Sequence, residues 1–144
     1  MKEYSITTMI NASPETIWAI LTDAAGFPEW NPGIDQVEGR IALGEKITVH
    51  SKLRSGRAFP VKVSEFVPAQ KMVWSSGMPL GLFKGERTFR LTPQSNGATE
   101  FSMREVFSGP LLPIIGRSIP DLTPSFEQYA TGLKQRAEHK SNGL

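Results

Sequence analysis

The sequence contains no cysteine, only two histidines, and no apolar run approaching the about 18 residues that a membrane-spanning helix needs. Without cysteine, disulfides and thiolate chemistry are excluded. His50 and His139 lie far apart, one on the outward phase of a strand-like run and the other in the tail. They form no metal cluster or catalytic triad, and no cofactor is expected. The stretch "MKEYSITTMINASPE" lacks the apolar core of a signal peptide, so these absences together predict a cytoplasmic protein without stable membrane insertion. An excess of one charge is missing too: 16 basic residues face 14 acidic ones, for a net charge of +2. The densest basic cluster, Lys52, Arg54, Arg57 and Lys62, has little aromatic interleaving and reads as a solvated hairpin edge, so no nucleic-acid partner is expected.

What is present fits one domain spanning residues 1–144, with 39% apolar and 21% charged residues. In "EYSITTMIN", Tyr4, Ile6, Thr8 and Ile10 alternate with polar residues, as in a half-buried strand. "SPETIWAIL" then starts a helix: Ser13 caps it, Pro14 suits its first turn, and Ile17, Trp18 and Leu21 form its apolar face. A short helical turn is expected in "AAGFPEW", ended by Asn31, Pro32 and Gly33. From Ile34 to Phe107, five or six short alternating runs broken by turn residues read as an antiparallel meander. Ile47, Val49 and Leu53 share a face with Phe59, Val61 and Val63 if the turn through Arg54, Ser55, Gly56 and Arg57 has odd register, with Gly56 at positive φ. Beyond four prolines, Leu122, Phe126, Ala130, Leu133 and Ala137 form the apolar stripe of a terminal helix that Thr123 is able to cap. "KSNGL" reads as a frayed end. The plan is α+β: a curved antiparallel sheet wraps the last helix, and one helix is too narrow to cover all of its inner face.

Two charges stand on the apolar phase of that sheet. In "LFKGERTFRL", Arg87 shares its face with Phe83, Gly85, Phe89 and Leu91, and in "TEFSMREVF", Glu105 shares its face with Phe101, Met103 and Phe107. A hairpin pairing Phe89 with Phe101 makes Arg87 and Glu105 diagonal neighbours. Either they neutralise each other, or one or both orient the polar head of a ligand whose apolar body rests on Trp74, Phe89 and Met103.

The runs "INASPETIWAILTD", "FPEWNPGI", "KMVWSS", "GERTFRLTP" and "NGATEFSMREVFSG", followed by an amphipathic helix, resemble the START-like (SRPBCC) superfamily of polyketide cyclases, dehydrases and lipid-transport proteins. The resemblance covers essentially the whole chain. It implies the helix-grip fold, with a hydrophobic cavity between the sheet and the C-terminal helix. Many members carry a histidine at the strand position occupied here by Arg87, a permanent cation that does not serve in proton transfer. The family includes both carriers and enzymes, so membership does not choose between them.

The expected function is binding of a small hydrophobic or amphipathic molecule in a cavity lined by Phe59, Val61, Trp74, Phe83, Arg87, Phe89, Met103, Glu105 and Phe126. The alternative is a cyclase- or dehydratase-like enzyme using the same cavity. No catalytic constellation is evident: Tyr4, Tyr129 and Glu65 are acid–base candidates without a partner assignable from spacing. Trp18 reads as structural and Trp30 as undecided, and "LLPIIG" at 111–116 is expected to pack over the cavity mouth.

Overall fold

A computed structural model gives the architecture, and it describes residues 2–51 and 57–141. The elements are β1 (Lys2–Ile10), α1 (Pro14–Leu21), α2 (Phe27–Trp30, preceded by a 3-10 turn at Ala24–Gly26), β2 (Ile34–Glu38), β3 (Lys46–Ser51), β4 (Arg57–Val67), β5 (Lys71–Gly77), β6 (Lys84–Pro93), β7 (Thr99–Ser108), α3 (Leu112–Ile115) and α4 (Thr123–Ser141). All seven strands join one antiparallel sheet in the order β1-β7-β6-β5-β4-β3-β2, so the meander contains six strands and β1 closes onto its last member. The sheet curls around α4, which is the helix-grip plan.

Local chemistry explains the helix ends. Ser13 Oγ accepts the Thr16 N–H at 3.2 Å, so α1 starts where its cap is. The cap of α4 differs from expectation. Thr123 is already its first residue, and the Asp121 carboxylate accepts the Thr123 N–H at 3.0 Å. A carboxylate two residues upstream reaches that free amide and meets the positive end of the helix dipole. At the other end α4 runs on through Ser141, so the helix takes in the start of the expected frayed segment, and residues 142–144 lie outside the described part.

The β6–β7 register also differs from the anticipated one. Phe89 pairs with Met103 and Leu91 with Phe101, a shift of two residues. The reason is a tighter loop. The pairing continues to Pro93–Thr99, the Gln94 N–H donates to the Ala98 carbonyl at 2.8 Å, and the Asn96 side chain accepts the Ala98 N–H. The β3–β4 register is odd, placing Ile47 opposite Val61 and Val49 opposite Phe59. The turn that carries Gly56 lies outside the described residues.

The inner face is fully buried at one end of the sheet. Phe89, Phe101, Met72, Met103 and Val63 are completely buried, packed with Phe126 and Leu133 of α4. The helix sits close because Gly132 faces the carbonyl of Trp30, where any Cβ would overlap the oxygen. Ties to β1 fix its other end: Lys134 Nζ donates to the Met9 carbonyl at 2.7 Å, and the Asn11 N–H donates to Glu138 Oε2 at 2.9 Å. Among the described residues no helix is long and apolar enough to cross a membrane.

Candidate functional site

Strand pairing sets one row of side chains across the inner face. Tyr4 of β1, Glu105 of β7, Arg87 of β6, Trp74 of β5 and Val63 of β4 lie side by side. Because of the register, Arg87 is directly opposite Glu105 rather than diagonal to it. Arg87 Nε donates to Glu105 Oε1 at 2.6 Å, and the guanidinium carbon lies 4.9 Å from the centre of the Phe126 ring. Both side chains are largely covered, at 21% and 15% exposure. The cation is therefore held by a carboxylate and an aromatic face.

On the closed side of this row lies an aromatic cluster. Trp74 and Phe89 have ring centres 4.9 Å apart, Trp30 and Tyr129 are edge-to-face at 5.0 Å, and Phe27 touches both tryptophans. Three buried polar atoms in it have no hydrogen-bond partner among the described residues: Trp30 Nε1, Trp74 Nε1 and the Tyr129 hydroxyl. Each such group costs about 1–3 kcal/mol when left unpaired. Burial raises the Tyr129 pKa well above the usual phenol range, an effect partly offset by the nearby Arg87 charge. The phenol is thus a neutral donor at ordinary pH.

On the open side, inward-facing residues are incompletely covered. Val49, Val61 and Phe83 are half-buried, and Phe59 is 38% exposed. Phe83 stacks on Phe107 at 5.9 Å, above Gly85, whose missing Cβ leaves room for the Phe107 ring. Residues 109–118 close part of this end: the Leu111 N–H donates to the Leu82 carbonyl at 2.9 Å, and Lys2 Nζ reaches the Gly116 carbonyl. The "LLPIIG" segment is thus tied to Leu82 and to Lys2, and Ile114 in it is 71% exposed.

The sheet is also split at this end. Pairing between β4 and β5 stops at Lys62–Ser75, and beyond it β4 pairs only with β3 and β5 only with β6. Proline chemistry accounts for the stop. The Val63 N–H donates to Glu45 on the β3 side, so the alternate position, Pro60, faces β5 where its missing N–H interrupts the ladder. The resulting slit has a volume of about 550 Å³ and is lined by Pro60, Val61, Lys62, Ser76, Met78 and Phe83, with Lys46 and Lys84 at its rim. A second groove, about 440 Å³, lies between Trp30, Pro32 and the outer side of α4.

The expected lining residues therefore divide. Trp74, Phe89, Met103 and Phe126 pack in the core, Arg87 and Glu105 form the boundary row, and Phe59, Val61 and Phe83 lie at the open end. Of the other candidates, Glu65 pairs with Lys71 at 2.9 Å on the surface, and Tyr4 packs on Phe107 and Phe126. Trp18 packs on Phe66 in the core, and Trp30 is buried against Phe27 and Tyr129. His50 Nε2 lies 2.9 Å from Glu38 Oε1. Tyr129 was missing from the expected lining although it lies three residues after Phe126 and four before Leu133, a helical spacing that signals the same face. The Lys46 and Lys62 rim was also missed, since nothing in the sequence shows that β4 and β5 part there.

Over residues 1–138 the chain matches the family described as polyketide cyclase / dehydrase and lipid transport. Among solved structures it is similar to a protein from Mesorhizobium loti (TM-score 0.75, 19% identity, 96% of this chain and 98% of that one). It is also similar to a START superfamily protein from Mycobacterium smegmatis (TM-score 0.69, 20% identity, covering 96% and 98%). A third is BexL, a di-domain ARO/CYC protein of the BE-7585A biosynthetic pathway (TM-score 0.71, 15% identity, covering 96% of this chain and 47% of BexL). At these identities the likeness is one of fold. No curated protein sequence matches significantly.

Proposed function

The chain belongs to the polyketide cyclase / dehydrase and lipid transport family, and from that premise we propose that it binds a small hydrophobic or amphipathic molecule on the open half of the sheet's inner face. One observation carries this reading. Val49, Val61, Phe83 and Phe59 lie on the inward phase of the sheet yet remain partly exposed, although they are in the same face as the buried core residues. Inward apolar surface left in contact with water is stabilised by a ligand that covers it, at about 25 cal/mol for each Å² removed from water. Mass spectrometry of small molecules retained by natively purified protein tests the reading, together with titration by the neutral fluorophore N-phenyl-1-naphthylamine. The expected result is one saturable site; no retained molecule and no saturable binding of the probe would overturn it.

A cyclase-like reaction is the second reading, favoured by the buried Tyr129 hydroxyl and two indole N–H groups that have no partner among the described residues. Neutral donors shielded from water suit carbonyl oxygens that gain negative charge as a ring closes. Under this reading Tyr129→Phe abolishes turnover of a poly-carbonyl substrate while leaving probe binding intact. Unchanged turnover in that variant would remove Tyr129 from the reaction.

A further inference from the structure

Two lysines of the slit have no role in the fold that their surroundings explain. Lys46 and Lys62 are directly opposite each other on β3 and β4, both exposed, and among the described residues neither meets a carboxylate. Like charges at opposed strand positions repel, so this arrangement costs stability in the unliganded protein. Lys84 stands on the other lip, where Glu86 Oε1 lies 3.4 Å from its Nζ and both side chains are about half exposed. Ser75, on the same outer side, is already bonded to Ser64 at 2.7 Å. Beneath these cations the walls turn apolar, through Val61, Met78 and Phe83. Period-2 alternation accounts for the layering: Lys62 and Lys84 face outward, while Val61 and Phe83, one residue before each, face inward. Arg87, the only inward cation on β6, is already engaged by Glu105 and Phe126.

We propose that the slit between β4 and β5 binds an amphipathic anion, with its carboxylate, sulfonate or phosphate head at Lys46, Lys62 and Lys84 and its apolar part passing over Val61 and Phe83 to the inner face. The assignment rests on the hydrophobic-ligand reading above and adds the charge of the ligand and the direction in which it lies. An anion placed between Lys46 and Lys62 removes their mutual repulsion and gains charge-assisted hydrogen bonds. The break in the ladder at Pro60 is what lets one molecule touch both faces of the sheet.

Two dyes that differ by one charge test this: 1-anilinonaphthalene-8-sulfonate and the neutral N-phenyl-1-naphthylamine. The expected result is tighter binding of the sulfonate dye by the intact chain. The double variant Lys62→Glu/Lys84→Glu should weaken that dye by about tenfold or more and the neutral one by less than about twofold. Both positions are exposed, and unchanged circular dichroism and thermal midpoint verify the fold. Equal responses of the two dyes would overturn the proposal. If only the neutral dye fails to bind, the hydrophobic-ligand reading falls and the anion site stands; if neither binds, both fall. Competition separates the sources of the head group. Dodecyl phosphate displacing the sulfonate dye where inorganic phosphate does not supports an amphiphile, whereas equal displacement by both overturns the apolar half of the site.

Discussion

Arg87 and Glu105 face each other across β6 and β7 with Nε and Oε1 2.6 Å apart, and the Phe126 ring of α4 covers the guanidinium. This contact joins the two central strands to the helix at the border between closed core and open face. Removing one partner leaves the other charge in a poorly hydrated place, so Arg87→Met and Glu105→Leu are each expected to cost about 2–4 kcal/mol. The double variant should recover much of that loss, since two apolar side chains suit the neighbouring Trp74 and Tyr4. Urea denaturation of the four proteins gives the coupling energy. Strictly additive losses would show that the pair is not a unit.

Gly132 reverses an ordinary rule. In an exposed helix interior, glycine to alanine gains about 1 kcal/mol. Here the added methyl overlaps the Trp30 carbonyl, so Gly132→Ala should destabilise by about 2 kcal/mol or more and displace α2 from α4. A rise in the denaturation midpoint would contradict the close approach.

Tyr129→Phe deletes a buried hydroxyl without a partner, so at neutral pH it should leave stability unchanged or raise it by about 1 kcal/mol. The folded pKa of this phenol is raised above the unfolded one. Its contribution is therefore complete below the unfolded value, about 10, and is lost as pH climbs from there. Thermal melts across that range should show a smaller alkaline loss in the variant than in the parent.

Acid acts through different groups. The Asn11 amide and then Lys134 hold Glu138 below the usual carboxyl range, and the Thr123 amide does the same for Asp121. Both folded values lie below the unfolded ones, so the stability they contribute is present above pH ~4 and lost as pH falls through the folded values. Glu138→Gln should flatten that acid limb, and melts between neutral and strongly acidic pH measure it. An unchanged slope would assign the acid loss to other carboxylates.

Pro60→Ala restores a donor aimed at β5. The gained hydrogen bond and the lost rigidity of the unfolded chain are each about 0.5–1 kcal/mol and oppose one another, so stability is a poor readout. Hydrogen exchange is a direct one. The amide introduced at position 60 should exchange slowly as the ladder extends, and sulfonate-dye binding should weaken as the slit narrows. Fast exchange there would mean that the strands part for some other reason.

Much of this molecule was legible in its sequence because its strands alternate cleanly. Period-2 phase placed Arg87, Phe89, Met103 and Glu105 on the inner face, and 3.6-residue spacing placed Phe126 and Leu133 on the helix face that meets them. The register between β6 and β7 was not legible. A shift by two residues preserves every inward and outward assignment, and only the hydrogen bonds of the Gln94–Ala98 loop decide it. The extent of the open region was missed for a related reason. Alternation tells which way Phe59 and Trp74 point, but not that Trp74 is buried against Phe27 and Phe89 while Phe59 stays 38% exposed. Likewise a proline in a strand signals an interrupted ladder only once it is known which neighbour its nitrogen faces.

The position of β1 beside β7 has a temporal side. Lys2 pairs with Phe107 and Ile10 with Thr99, so the first strand to be made waits for the last before it acquires any sheet neighbour. At about 5–20 residues per second of synthesis, the wait is roughly 5–20 seconds. Through it, Tyr4, Ile6 and Ile10 remain as an unpaired alternating edge, the form of chain most open to pairing with the wrong strand. The final docking of α4, through Lys134 on Met9 and Glu138 on Asn11, comes after that delay and seals the strand in place.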